Sequence, residues 1–170
     1  RQLVPGLTRV AILWNKLGGG GATPIAVTDA ATALGLQALL LEVKGPADIT
    51  AAMEAAEAWG AQGVLQIASP LITQNHLMFI DLLRKHRLPA ACEMKMYVEA
   101  GSLKTYSADL SPMFNRLAHF VDRILKGEKP AEIAIEQPRE FDFVINLATA
   151  RDLGLVVPPL MLVQTTGTIP

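Results

Sequence analysis

The sequence has a single cysteine, almost no net charge and no long hydrophobic run. Each of these shortages excludes a structural feature or a kind of partner. With Cys92 alone, an intramolecular disulfide is impossible. The formal net charge of -1, from 15 Lys+Arg and 16 Asp+Glu, supplies no positive field for nucleic acid or an anionic membrane. Lys, Asp, Gly or Pro interrupts every apolar stretch before it reaches the ~20 residues of a membrane-spanning helix.

What the sequence does have is the composition of one globular domain. Hydrophobic residues make up 51% of its 170 positions, which excludes a disordered or fibrous chain. A chain of this length buries roughly 70% of its unfolded surface and needs no covalent staples. The chain starts at Arg1 and shows no basic, apolar and small-residue succession of a signal peptide, so we expect a processed or truncated chain.

Short apolar segments alternate with amphipathic ones along the first part of the chain. The patterns predict strands at 8–14, 36–43, 63–68 and 88–92, and helices at 24–34, 46–59 and 72–86. Strands that alternate with helices pair in parallel through right-handed crossovers. The sequence therefore predicts an α/β fold with a doubly wound, mostly parallel sheet and helices on both faces.

The C-terminal third changes character. We predict strands at 103–106 and 141–145, a short helix at 149–153 and a loosely ordered tail from 163 to 170. A longer helix is expected to start at Ser111 as N-cap and to extend to Lys126, where Gly127 closes it. Its apolar stripe is wide enough to need a partner surface. The stripe consists of Leu110, Met113, Phe114, Leu117, Val121, Ile124 and Leu125.

Candidate binding residues follow from the expected sheet. In open parallel sheets, ligands bind beyond the carboxyl ends of the strands. Polar residues in such places are also typical of turn starts and helix caps, so their shared position is what indicates a site. The polar residues after predicted strands, and the aromatic ones near them, are Asn15, Ser69, Glu93, Ser107, Trp14, Tyr97 and Tyr106.

A glycine run at 18–21 suggests an alternative, a nucleotide-dependent enzyme domain. Glu42 lies where a ribose-binding acid is expected after such a loop. The fingerprint is incomplete, because Thr23 or Pro24 stands at its third glycine position and no Gly-Lys-Ser/Thr follows. The incomplete fingerprint favours a flexible loop over a nucleotide site.

Catalytic and metal-binding patterns are weak. Cys92 beside Glu93 has no histidine nearby in sequence to activate a thiol, which favours a buried cysteine. We expect His86 and His119 on charged helix faces and His76 on an apolar stripe. No His or Cys pair has metal-ligand spacing. The sequence thus predicts a protein that is not an enzyme and has no metal or cofactor.

Several stretches resemble one known family. They are VPGLTRVAILWN at 4–15, RLPA at 87–90, YVEAGSLKTY at 97–106, VDRILKGEKPA at 121–131, EQP at 136–138 and FVINLATARDLGLVVPP at 143–159. These stretches are similar to the substrate-binding proteins of ABC transporters, in the subgroup often labelled tryptophan/tyrosine type, which have the periplasmic binding protein type I fold. The resemblance extends over nearly all of residues 3–159.

The resemblance implies a two-lobed protein of the periplasm or another extracytoplasmic space. Such a protein closes on a small solute, an amino acid or a similar organic molecule, and delivers it to an ABC permease without chemistry. The chain would be the C-terminal part only. Residues 1–109 and 137–159 would form the ligand-binding lobe, 110–136 would cross to the missing N-terminal lobe, and 160–170 would be a tail. A ligand-sensing regulatory domain of the same fold is a further alternative.

The resemblance also assigns expected roles. Glu93 would pair with an amino group of the solute, while Asn15 and Ser69 would hydrogen-bond its carboxylate or amide. Trp14 or Tyr97 would pack on an apolar moiety, and Tyr106 would lie at the hinge. The loop at 16–22 and Ser107 depart from the family pattern, so we expect a ligand that differs from those of relatives. Without the other lobe, the helix that extends to Lys126 would self-associate or be displaced.

Overall fold

The computed structural model describes residues 2–16, 18 and 24–170. Within them the strands are β1 Arg9–Trp14, β2 Gln37–Glu42, β3 Val64–Gln66, β4 Ala90–Cys92, β5 Lys104–Ala108, β6 Phe141–Asn146 and β7 Gly167–Ile169. The α-helices are α1 Pro24–Ala33, α2 Pro46–Trp59, α3 Pro70–Gln74, α4 His76–Lys85, α5 Lys95–Ala100, α6 Leu110–Leu125, α7 Leu147–Asp152 and α8 Pro159–Gln164. A short 3-10 helix spans Pro130–Glu132.

The seven strands form one sheet in the order β2-β1-β3-β4-β5-β6-β7. Neighbouring strands pair in parallel except β5 and β6, which are antiparallel. The predicted mostly parallel α/β fold is therefore confirmed. Because β2 and β3 lie on opposite sides of β1, the connections after β1 and β3 diverge, and this switch point is where open α/β sheets hold ligands.

Both faces of the strand β1 are covered. Ala11 and Leu13 belong to the core cluster on one face, and Ile12, which points to the other face, is also fully buried. Helix α2 contributes a buried stripe at a spacing of three and four residues. Gly60 ends that helix in the left-handed region, at φ +77°, as its place in the sequence predicts.

The segment predicted as one helix at 72–86 is two helices. Ser69 caps α3, accepting from the Ile72 N–H, and the Asn75 side chain donates to the Leu71 carbonyl at 2.8 Å. Asn75 ends α3 with non-helical backbone angles before α4 begins. The sequence also gave no indication of α5, which is only six residues long and has no clear periodicity.

The tail is ordered, contrary to expectation. It forms α8 and then β7, which pairs in parallel with β6. Thr166 fastens the strand, because its N–H donates to the Phe143 carbonyl and its hydroxyl oxygen accepts from the Phe143 N–H. A three-residue strand carries no readable pattern. Its pairing depends on the free edge of β6.

Residues 109–140, called the excursion below, leave the sheet after β5 and return to it at β6. The two ends meet, since the Asp109 N–H donates to the Glu140 carbonyl at 3.0 Å. Helix α6 begins two residues earlier than predicted, because Asp109 rather than Ser111 is its N-cap, accepting from the Ser111 N–H at 2.9 Å. None of the α6 residues is buried.

Two bidentate ion pairs brace the excursion. The Arg116 guanidinium holds the Glu136 carboxylate of the returning segment, and Arg123 holds Glu128 just beyond the helix. In the described part of the chain, no helix is long and apolar enough to cross a membrane.

Candidate ligand-binding site

The carboxyl ends of β1, β3 and β4 lie side by side because these strands are parallel neighbours. Asn15, Ser69 and Glu93, which follow them, are therefore brought to one edge of the sheet. That edge includes the switch point between β1 and β3. The excursion also starts and ends at this edge, since β5 is parallel to β4.

The loop after β1 is anchored on both sides. The Asn15 side-chain amide donates to the Val43 carbonyl at the end of β2, and the Gly18 N–H donates to the Asn15 carbonyl at 2.9 Å. A Cβ atom at Gly18 would lie 2.5 Å from the Ala68 carbonyl oxygen. Only glycine allows this approach, so the glycine brings the β1 loop against the β3 loop.

Glu93 is held in place by a residue that sequence reasoning missed. Gln66, the last residue of β3, is only 3% exposed. Its amide nitrogen donates to Glu93 Oε1 at 3.2 Å, and its Oε1 accepts from the Glu93 N–H at 3.4 Å. A polar residue inside a short apolar strand was the only sequence signal for this role.

The half-buried Glu93 carboxylate contributes a negative charge to this edge. Burial raises the pKa of the neighbouring Cys92 thiol to about 12 and that of the Tyr97 hydroxyl to about 12, so both groups are neutral at physiological pH. Among the described residues, Glu93 forms no salt bridge with Lys, Arg or His. The site thus offers a charge that a cationic ligand group complements.

Ser69 and Tyr97 lie behind the site surface, not on it. Ser69 is 2% exposed, and its hydroxyl accepts from the α3 backbone, so it acts as a helix cap. Tyr97 is fully buried, with its hydroxyl 3.0 Å from the Thr73 hydroxyl and its ring edge against Phe79. In this structure α5 turns the Tyr97 ring into the core, and the contact of Tyr97 with a ligand stays a prediction.

Trp14 and Tyr106 remain accessible. Trp14 is half-buried at the end of β1, where its carbonyl accepts from the Val43 N–H. Tyr106 is 65% exposed and stacks on Phe141, beside the neck of the excursion. Glu42, the ribose-binding candidate, is exposed and pairs with Lys44 at 3.6 Å.

The residues weighed for the enzyme alternatives have the following positions. Cys92 is buried, and its raised pKa keeps it a thiol. His76 donates from Nδ1 to the Thr73 carbonyl at 3.0 Å. The described residues contain no group of three or more His, Cys, Asp or Glu that could hold a metal. Of the glycine run proposed for a nucleotide, Gly19 to Gly21 lie outside the described residues.

One histidine is placed differently from the expectation. The His86 side chain is only 5% exposed, with Nδ1 2.6 Å from Glu57 Oε2, so it bridges α2 and α4 instead of lying on a solvated face. Folding of α4 onto α2 buries it, and this packing has no local sequence signal.

The excursion carries an apolar groove of about 600 Å³. It lies between α6 and the returning segment 136–140, and its floor includes Leu110, Met113, Phe114, Leu117 and Phe120. The outer parts of the same helix are more exposed still, with Leu125 at 81%. The apolar stripe predicted from the sequence is therefore uncovered in this structure.

The family described as ABC transporter substrate binding protein matches residues 1–169. The chain belongs to this family. Substrate-binding families of this kind are generally non-enzymatic. No curated relative matches the sequence.

Solved structures share the fold of this substrate-binding protein family member. A domain from Streptococcus pneumoniae in complex with L-Trp has a TM-score of 0.89 at 19% identity, over 99% of this chain and 57% of its own. A conserved domain protein from Vibrio cholerae reaches 0.85 at 20% identity, over 98% and 56%. A ligand-free substrate binding protein with adhesive properties from Clostridium difficile reaches 0.72 at 12%, over 98% and 56%. The chain thus spans a little over half the length of each.

Proposed function

We propose that this chain is the C-terminal part of the solute-binding component of an ABC importer. The component binds a small organic solute reversibly between two lobes, outside the cytoplasm, and delivers it to a permease. The observation that carries the proposal is the Glu93 carboxylate, which is half-buried and without a salt bridge in the described part of the chain. It lies at the edge of the sheet that includes the switch point.

The division of the chain follows from the excursion. Residues 1–109 and 137–159 form the ligand-binding lobe, and the final strand β7 extends its sheet. Residues 110–136 carry the uncovered apolar face of α6, which lines the groove together with segment 136–140, and monomeric proteins rarely leave so broad an apolar face exposed. A second lobe, encoded before residue 1, is the proposed cover. The chain spans 56% to 57% of the solved relatives, which leaves room for one.

The neck of the excursion is the proposed hinge. The chain passes through the neck twice, once on leaving the sheet and once on returning. The two passes lie side by side, joined by the hydrogen bond from the Asp109 N–H to the Glu140 carbonyl. A narrow connection of this kind allows two rigid bodies to close on a ligand and to expel water from between them. The stacked rings of Tyr106 and Phe141 lie beside this connection.

The solute is proposed to carry an amino group and an apolar part, as an amino acid does. Glu93 pairs with the amine, Asn15 contributes a polar contact, and Trp14 and Tyr106 supply aromatic surface. The Ser69 hydroxyl supports the loop through its helix cap. Binding of aromatic amino acids in the manner of the tryptophan/tyrosine subgroup is the first hypothesis to test.

Matched ligand pairs test this function. Calorimetry compares phenylalanine with 3-phenylpropanoate and leucine with 4-methylpentanoate, using the chain alone and the chain with its native N-terminal extension. We expect only the amines to bind, and Glu93→Gln to weaken them at least about tenfold, or ~1.4 kcal/mol. The control Glu99→Gln changes a carboxylate on α5 that pairs with Lys95 and lies outside the site.

Two results would reject the proposal. Equal binding of amine and deaminated partner would exclude Glu93 as an anchor. Stabilisation by ATP or NAD, but by no amino or organic acid, would favour the nucleotide-dependent alternative instead.

A further inference from the structure

The side chain of Gln66 is an unusual element of the buried sheet. It lies 3% exposed at the end of β3, beside the buried Val64 and Ile67. A buried amide without hydrogen bonds is costly, so its partners decide why a polar side chain is tolerated there. All of the partners are at the proposed site edge.

Three hydrogen bonds determine the orientation of this amide. The Gln66 nitrogen donates to the Ile67 carbonyl at 2.8 Å and to Glu93 Oε1 at 3.2 Å. Its oxygen accepts from the Glu93 N–H at 3.4 Å. If the amide oxygen and nitrogen were exchanged, the oxygen would face two acceptors, the Ile67 carbonyl and Glu93 Oε1. The nitrogen, a donor, would face the Glu93 N–H, which is also a donor. The observed orientation is therefore the only one that satisfies these groups.

The same contacts constrain Glu93 at two points, its backbone and one carboxylate oxygen. In the described part of the chain, the second oxygen, Oε2, has no hydrogen-bond partner. A neutral amide orients the carboxylate without cancelling its charge, which Lys or Arg in the same place would do. A fixed carboxylate also loses less side-chain freedom when it binds a ligand.

We propose that Gln66 is a positioning residue that holds the Glu93 carboxylate with Oε2 directed to the solute amine. This inference rests on the proposed function. Discrimination for an amine then depends on a residue that touches no ligand.

The first test needs no ligand. Side-chain amide NMR signals of Gln66 are recorded at pH 7 for the unmodified chain and for Glu93→Ala, which removes the carboxylate that accepts from the Gln66 amide. We expect the amide protons of Gln66 to shift and to exchange faster in Glu93→Ala, and to stay unchanged in the control Glu99→Gln. Gln66 signals that are the same in all three proteins would overturn the inference.

The second test separates positioning from folding. Gln66→Met keeps length and removes the donor, and Gln66→Glu places a second acceptor against Glu93. The control Gln62→Met removes a glutamine that accepts from the Thr8 and Arg9 N–H groups at the opposite edge of the sheet. All three are expected to lower Tm, but only the Gln66 variants should alter ligand discrimination.

The readout is the ratio of Kd values for 3-phenylpropanoate and phenylalanine. We expect the preference for the amine to fall about five- to tenfold in both Gln66 variants and to stay unchanged in Gln62→Met. An unchanged preference in folded Gln66→Met would overturn the inference. If no probe binds the unmodified chain joined to the proposed N-terminal lobe, the proposed function fails, while the NMR comparison still decides whether Gln66 holds Glu93.

Discussion

The ring of Tyr106 stacks on that of Phe141, with centroids 5.7 Å apart and planes 6° from parallel. Tyr106 lies on β5 and Phe141 on the antiparallel strand β6, and the 32 residues of the excursion separate the two strands in sequence. Tyr106 also meets the ring of its cross-strand partner Phe143 edge-on, at 6.1 Å. The stack therefore joins the end of β5 to the start of β6, where the chain enters and leaves the neck. It gives the proposed hinge a definite resting geometry.

Loss of this stack should loosen the neck. Aromatic pairs contribute roughly 0.5–1.5 kcal/mol, so Tyr106→Ala is expected to lower the free energy of unfolding by about that amount. Tyr106→Phe keeps the ring and should differ little. Urea denaturation measures both, and hydrogen exchange should rise around residues 106–110 and 139–143 in the alanine variant. Equal protection in the two variants would show that the stack does not hold the neck.

Gly18→Ala should disturb the site without touching a ligand-facing side chain. The new Cβ would lie 2.5 Å from the Ala68 carbonyl oxygen, and backbone must move to relieve the clash. Overpacking of this kind costs about 1–3 kcal/mol. Gly167→Ala is the control, because its Cβ would meet the Val144 side chain at an ordinary 3.9 Å. Similar Tm values for the two variants would contradict the close approach.

High pH should destabilise the fold through Cys92. Burial raises the pKa of its thiol from 9.0 to about 12, so the folded chain favours the neutral form. The contribution to stability is present below pH 9 and is lost as pH rises from 9 toward 12. Urea denaturation at pH 8, 9 and 10 measures the slope, which should be shallower in Cys92→Ala. Iodoacetamide should label the thiol in urea but not in the native chain at pH 8.

Low pH should loosen the excursion. The Arg116 guanidinium lowers the pKa of the Glu136 carboxyl, and Arg123 does the same for Glu128, chiefly by hydrogen bonding. These pairs stabilise above the ordinary carboxyl pKa of 4.5 and are lost as pH falls through the lowered values. Hydrogen exchange in residues 133–140 should rise in Glu136→Gln at neutral pH, with little change in Tm. Glu132→Gln, which removes only an exposed contact with Lys129, is the control.

The uncovered face of α6 should make the chain alone self-associate. Sedimentation should show a concentration-dependent increase in mass, which Leu117→Lys abolishes by placing a charge in the groove. Leu77→Lys alters a single exposed leucine on α4 and should have no effect. With the proposed N-terminal lobe attached, both forms should be monomeric. A compact monomer of the chain alone, without binding of a hydrophobic dye, would show that this face needs no cover.

Much of the core lobe could be predicted from local patterns. The β1 strand and the α2 helix, with Pro46 at its start and Gly60 at its end, agree with expectation because hydrophobic spacing and helix signals act over a few residues. The edge that carries Asn15 and Glu93 followed from the parallel sheet. The side chains of Ser69 and Tyr97 are buried by the packing of α3 and α5, which the local sequence patterns did not predict.

The sequence by itself determined the alternation of strands and helices, the α/β class and the apolar stripe of α6, because each is written in neighbouring residues. Only the tertiary structure decided that Gln66 holds Glu93, 27 residues away, and that Thr166 fastens the tail to Phe143, 23 residues away. It also decided that residues 109–140 leave and return through one neck. Such contacts depend on strand order and register, which bring distant residues together and carry no local signature.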